Sequence, residues 1–353
     1  MNRILKFPLY LMAIAILFTS CSEDDDVNGT APRGEYDGGY FILHEGGGPL
    51  SPFTYVDDNG TVDTNAFETA NPTELPFGGF NQDMFFSDDR AFVISGQSSS
   101  VTVLDRFSLT LINTVDTDFE NPRYGVVVGN KAFVTNSGDF MSTADDFVTV
   151  IDLNDYSTST IVVGDVVNRI YAANNNVYVL NGSFGSGNAI TVINPDSESI
   201  IGSIDLGAGN SPDTAVLNAN SLYVLANNGG ATGSVIEINI GTNAIVNTVS
   251  LPASLTTPKH ISIDGATTYF TNGTAVYGYA TNNPQISTTP VLEYNSSSSF
   301  GAMYGFTVKD GIIYIADAGD FVSNGQAFEY DLNGNLMTTI STGVAPNGFF
   351  FND

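Results

Sequence analysis

A small set of positions that recurs along the chain carries most of the residues able to hold a charged or polar molecule. Four members are introduced by proline, at Pro122, Pro212, Pro258 and Pro346, and the residues that follow are Arg123, Asp213, Lys259 and Asn347. The matching positions elsewhere fall near Gln82, Asn168 and Met303. One step on stand Tyr124, Arg169, Thr214, His260, Tyr304 and Gly348. The chemistry of such a set is recognition: guanidinium and ammonium groups hold anions and polar groups through charge-assisted hydrogen bonds, and tyrosine rings add apolar contact. Beyond residue 37 the chain has seven cations, Arg90, Arg106, Arg123, Lys131, Arg169, Lys259 and Lys309, and three of them fall in this set together with His260. A chain of net charge −28 that keeps its few cations together is arranged to attract an anionic or strongly polar ligand there. The alternative is that these charges pair with Asp213 and Glu120 and serve packing.

Groups that make or break bonds are scarce. The two histidines, His44 and His260, have no serine in an elbow motif and no cysteine partner nearby. His44-Glu45 at a strand end is a candidate for a ligand or a metal, or is simply a satisfied polar pair. Zinc spacings are absent, and Asp57-Asp58-Asn59-Gly60 and Asp331-Leu332-Asn333-Gly334-Asn335 lack the spaced ligands and closing glutamate of a calcium loop, so they read as hairpin turns. The glycine-rich run from Gly182 to Gly187 precedes no helix and is read as a loop. No catalytic residue, metal or cofactor is expected. A propeller enzyme such as a lyase or a quinone-dependent oxidoreductase would need an acid/base or metal cluster that this sequence does not display.

The elements that position the recurring set are strands. An aromatic opens an apolar run at Phe92, Phe133, Tyr178, Tyr223, Tyr269 and Tyr314, in steps of 41, 45, 45, 46 and 45 residues. A fixed period of this size, all strand and turn, marks an all-β propeller with one four-stranded blade per repeat. Blade three shows the scheme: strands over 122–128, 131–135, 147–152 and 159–163, joined by Gly-Asn and Asn-Asp hairpin turns. Blades two (80–115), four (166–206), five (212–251) and seven (302–343) follow it, and blade six (258–292) has a degenerate Thr/Asn/Pro-rich outer half at 281–290. The N-terminal blade has strands at 40–44, 53–57 and 61–63 but no innermost one, and the last segment, 345–351, begins like an innermost strand. The C-terminal strand is therefore expected to complete the N-terminal blade, giving seven blades and no free edge. In that fold the recurring set rings one mouth of the central channel. The loops over this mouth, 46–52, 68–79, 116–121, 137–146, 182–188 and 318–326, carry Phe77, Phe119, Phe140, Met141, Phe184 and Phe321. Apolar groups at loop tips either meet a ligand or fold back to pin their own loops.

The ends suggest export. A basic start (Arg3, Lys6) and a short apolar core at 9–18 predict a signal peptide over residues 1–20, too short to span a membrane. Phe18-Thr19-Ser20-Cys21 resembles a lipobox, which implies lipidation of Cys21, the single cysteine of the chain. The acidic run Ser22-Glu23-Asp24-Asp25-Asp26 resembles the export tag of surface lipoproteins of Bacteroidota, and residues 21–37 read as a solvated tether before a propeller over 38–353. The acidity argues against nucleic acid as a partner.

With no tryptophan, the Trp-Asp repeat type is excluded. The phrases AFVTNSG with VTVIDL and VYVLNG with ITVINP resemble YVTN-type propellers. Together with the lipobox, the acidic tag and the opening GGYFILHEGG, they resemble YncE-like surface lipoproteins that sit on TonB-dependent outer-membrane transporters. The best-understood of these capture cobalamin. The resemblance implies a lipid-anchored, outer-membrane, surface-exposed protein without catalytic activity that captures a large polar small molecule, cobalamin or another, and passes it to such a transporter. The expected ligand-binding residues are Arg123, Tyr124, Asn168, Arg169, Asp213, Lys259, His260, Tyr304, Asn347, His44, Phe140, Phe184 and Phe321. A protein-interaction or adhesion module is the alternative.

Overall fold

The aromatic that opens each repeat is the residue that joins one blade to the next. Successive side chains on a strand point to opposite faces. In Arg90–Ser95, Ala91 and Val93 therefore pack with Phe41, Leu43 and Phe53 of the preceding blade, while Phe92 and Ile94 pack with Ala132 and Val134 of the following one. Phe133, Tyr178, Tyr223, Tyr269 and Tyr314 each reach the following blade in the same way. Both faces of these strands are buried, which is why they read as unbroken apolar runs rather than as alternations.

The computed structural model describes residues 33–46, 51–74, 78–139, 141–183, 185–227, 232–296, 298 and 300–353. They form seven four-stranded antiparallel sheets, a seven-bladed β-propeller. The innermost strands are Pro346–Phe351, Asn81–Phe86, Pro122–Val128, Ile170–Ala173, Ser211–Asn218, Pro258–Asp264 and Gly305–Lys309, for blades one to seven. Blade six keeps only Leu292–Glu293 as its outer strand, where the degenerate segment was expected. A feature the sequence did not announce is a short helix, Ala66–Ala70. Residues 68–71 accordingly do not belong to a loop over the channel mouth. Phe67 is fully buried in the core shared by blades one and two, and Asn71 exchanges hydrogen bonds with Leu109 O (2.9 Å) and Leu111 N–H (2.7 Å) next to the outer strand of blade two. Phe77, Phe140, Phe184 and Cys21, with the rest of residues 1–32, lie outside the described residues.

The ring closes as expected: the last strand pairs with Tyr40–His44 in the register Tyr40 to Phe351, Phe41 to Phe350 and Ile42 to Phe349. The end of the chain is then locked. Asn352 is fully buried, donates to the carbonyls of Tyr36 (2.5 Å) and Arg106 (3.2 Å), and accepts from Arg106 Nε (2.6 Å). Asn352→Ala is expected to cost about 2–3 kcal/mol, because it leaves buried partners unsatisfied rather than merely removing bonds. Urea denaturation measures this, and an unchanged midpoint would show that the latch is idle.

Candidate functional site

The residues at the channel mouth are turned inward by a repeated irregularity in the ladder. In five blades the innermost strand pairs at its first residue, skips, and resumes. The skip passes over Gln82 in blade two, Arg123 and Tyr124 in blade three, Asp213 in blade five, Lys259 and His260 in blade six, and Asn347 in blade one. A bulge leaves the extra residue unpaired and re-aims its side chain. Proline suits the position before the skip, since the first residue of a strand can forgo a ladder bond. Much of the recurring polar set is thus what the ladder leaves out; Arg169 is not, since it stands just before the innermost strand of blade four and its carbonyl accepts the Leu180 N–H (2.8 Å).

These residues line one cavity of about 760 Å³ in the mouth of the channel. Of the expected ligand-binding residues, Arg123, Tyr124, Asn168, Arg169, Asp213, Lys259, His260, Tyr304 and Asn347 line it. The three cations pair with aromatic faces instead of carboxylates. The guanidinium carbons of Arg169 and Arg123 lie 4.5 Å and 5.9 Å from the centre of the Tyr124 ring, and Lys259 Nζ lies 4.8 Å from that of Tyr304. Among the described residues none of the three makes an ion pair within 4.0 Å. Among the described residues, Arg123 Nε, Asn168 Oδ1 and Asn347 Oδ1 are buried and have no protein hydrogen-bond partner, although Asn168 Nδ2 reaches Gly182 O (2.9 Å) and Asn347 Nδ2 reaches Asn81 O (2.8 Å). A molecule entering the cavity thus meets donors and acceptors that the fold has not consumed.

Two residues differ from expectation. His44 is a core residue of blade one and lies outside the cavity lining. It is 3 % exposed, its Nε2 accepts the Gly343 N–H (3.0 Å) and the Thr54 hydroxyl (3.0 Å), and its Nδ1–H therefore points to Ser51 O (3.2 Å). Burial lowers its pKa to about 4, so it is neutral at any ordinary pH. Gly343 has no side chain because a Cβ there would collide with the imidazole. Phe321 does not line the cavity either. It packs edge-on to Tyr304 at 5.0 Å and is 38 % exposed beside it. Phe119 folds back against the core between blades two and three, whereas Met141 is 92 % exposed. Glu120 is exposed and takes no part in the ring, and Met303 is buried.

The carboxylates of the cavity are Glu45, Asp83 and Asp213. Glu45 accepts hydrogen bonds from the Tyr304 hydroxyl and from Gln82 Nε2 (3.0 Å). Burial raises the pKa of Asp213 against the pull of Arg169 and Lys259. His260 is held neutral by burial and by the nearby charges of Lys259 and Arg169, and its Nε2–H lies on Met303 O (2.8 Å). Asp83 is the residue that sequence reasoning missed, although it stands one step after Gln82, in register with Tyr124 and Arg169. Burial raises its pKa to about 7, against the Gly125 N–H that binds Oδ2 at 3.0 Å and against the charge of Arg169. A carboxyl group whose proton affinity is higher folded than unfolded stabilises the fold fully at low pH, and that contribution is lost as pH rises toward and through 7. The stability of Asp83→Asn relative to the wild type is therefore expected to rise by about 2–4 kcal/mol between pH 4 and pH 8. Denaturation at both pH values tests this, and parallel profiles would show that Asp83 is ionised throughout.

Known proteins place the fold but not this site. A family model described as a domain of unknown function, DUF5074, matches residues 38–342, so the chain belongs to that family. No curated protein sequence matches the chain. Similar solved structures include a quinonprotein alcohol dehydrogenase-like protein from Bacteroides thetaiotaomicron, at 14 % identity and TM-score 0.68 over 90 % of this chain and 79 % of that one. The periplasmic gluconolactonase of Pseudomonas aeruginosa matches at 15 % and 0.62, over 90 % and 98 %, and the hydrazine synthase of Kuenenia stuttgartiensis at 17 % and 0.62, over 76 % and 88 %. At these identities the likeness is one of fold.

Proposed function

We propose that this member of the family is a capture protein that binds a large polar small molecule in the mouth of its channel and does no chemistry on it. The observation that carries the reading is the ring of polar residues at the channel mouth. Among the described residues, three cations stand over tyrosine rings with no carboxylate within 4.0 Å, in a cavity that also holds buried, unpartnered amide and guanidinium atoms. A protein that needed these groups only for packing would pair them. The volume is in the range of cofactor-sized ligands. Cobalamin, with its phosphate and many amides, is the first candidate on the strength of the sequence resemblance. Lipid anchoring at Cys21, exposure at the outer surface and delivery to a TonB-dependent outer-membrane transporter belong to the same proposal and rest on residues 1–37 and that resemblance. Phe300 and Val322, 86 % and 81 % exposed, offer apolar contact to such a partner.

Calorimetry of the protein against cobalamins, haem, siderophores and oligosaccharides tests the reading. Saturable one-to-one binding of one class supports it, and a flat result across the panel with a membrane protein recovered by pull-down would favour an interaction module. One observation favours catalysis instead: Asp83, a carboxyl group in the cavity with a pKa of about 7, is poised as a general base. Mass spectrometry of the bound ligand after incubation separates the two, since capture returns the molecule unaltered.

A further inference from the structure

Arg123 and Arg169 are held against the same ring, Tyr124, at 5.9 Å and 4.5 Å, inside one cavity. Like charges brought together in an enclosed site repel, and here no ion pair within 4.0 Å relieves them among the described residues. Arg123 Nε is buried without a partner among the described residues. The guanidinium fork matches the oxygens of carboxylates and phosphates, and such a group placed between the two arginines would satisfy donors on both. Asp83 lies in the same cavity wall, tied to blade three through the Gly125 N–H.

We propose that Arg123, Tyr124 and Arg169 form an oxyanion subsite of the cavity, and that its occupation is coupled to protonation of Asp83, so that a carboxylate or phosphate group is taken up together with a proton. This deepens the capture reading and rests on it for the identity of the whole ligand. The coupling follows from position. The titratable groups on the elements packed against the strand of Asp83 are Arg123 and Tyr124 in blade three, Arg90 on its own hairpin, and Tyr40 and His44 in blade one; the innermost strand of blade one has none. Arg169 reaches it from blade four, and its field favours the ionised carboxylate. An anion on Arg169 cancels that field and adds a negative charge beside Asp83. Both effects raise the affinity of Asp83 for a proton. Since Asp83 in the free protein already titrates near 7, anion affinity is level below that pH and falls as pH rises above it.

Sulfate is a suitable probe because its charge does not change between pH 6 and 8. Sulfate binding is followed by titration calorimetry at constant ionic strength, at pH 6.0 and pH 8.0, for the wild type, Arg169→Gln and Asp83→Asn. The wild type is expected to show saturable binding whose midpoint lies about three- to tenfold lower at pH 6.0. Arg169→Gln should give only the non-saturable heat of dilution. Asp83→Asn should keep the saturable response and lose its pH dependence. Should Arg169→Gln fail to fold, Arg123→Gln serves in its place. A saturable response that survives loss of the arginine, no saturable response at all, or an undiminished pH dependence in Asp83→Asn overturns the proposal. Calorimetry with an organic ligand from the screen keeps the two readings apart. Tight binding that ignores both pH and sulfate removes the subsite and leaves capture standing, whereas saturable sulfate binding with no organic ligand removes capture and leaves the subsite.

Discussion

A chain ending at Ala345 is expected not to fold to a stable propeller. The missing strand supplies the innermost edge of blade one, and with it five rungs of pairing from Tyr40–Phe351 to His44–Pro346. Phe349 and Phe351 pack on Tyr40 and Tyr314, with ring centres 5.3–6.1 Å apart, and so form part of the core between blades seven and one. The truncation also removes Asn352 and the partner of Lys309 at Asp353, the latch that holds the opening residues of the propeller. Backbone pairs contribute about 1 kcal/mol each and buried aromatics about 1.5–3 kcal/mol each, so the loss is comparable to the whole stability of a domain, about 5–15 kcal/mol. Repeat proteins lose a terminal unit gradually. A closed ring cannot, because the missing strand leaves exposed apolar faces on two blades and an open edge. Far-UV circular dichroism and the soluble yield of the 1–345 chain test this, and a synthetic 346–353 peptide added in trans should restore a cooperative transition. A cooperative transition at the wild-type temperature without the peptide would mean that six blades and three strands of the seventh suffice.

Much of this fold was legible because its physics is periodic. The aromatic of each second strand recurs since every blade must bury one face against its successor, and the closing strand could be found because blade one visibly lacked its innermost member. The helix at Ala66–Ala70 was not legible: five residues carry too little pattern, and what holds it is the tertiary burial of Phe67 and the bonds of Asn71 to residues some 40 positions away. The channel ring was legible as a set of cations because an acidic chain gives cations contrast. The same contrast hid the carboxylates. With 38 acidic residues in the sequence, nothing marks Asp83 as a half-buried member of the cavity wall and Asp116 as exposed except the register of a bulge, which emerges only from strand pairing. His44 shows the converse error. A histidine at a strand end beside a glutamate has the right type and place for a ligand, but the glycine at 343 opens a slot that draws its ring into the blade.

Replacing Arg123 and Arg169 together by alanine is expected to weaken binding of the captured ligand by at least about 100-fold, since hydrogen bonds to charged groups contribute about 1.5–3 kcal/mol each. Stability should respond differently at different pH. Neither arginine is in an ion pair within 4.0 Å among the described residues, so the fold loses mainly two cation–aromatic contacts on Tyr124, worth about 0.5–1 kcal/mol each. Asp83 and Asp213, however, lose the cation that favours their ionised forms. At pH 6 Asp83 takes up a proton and the deficit is small. At pH 8 it must either ionise in the cavity wall without the cation that favoured its charge or hold its proton against the bulk, and both options lower stability. The double variant should therefore melt within a few degrees of the wild type at pH 6 and clearly below it at pH 8, while binding is lost at both. Unchanged affinity would remove the arginines from the site. A large loss of stability already at pH 6 would instead show that the ring exists to hold the blades together, because at that pH the only term left is packing.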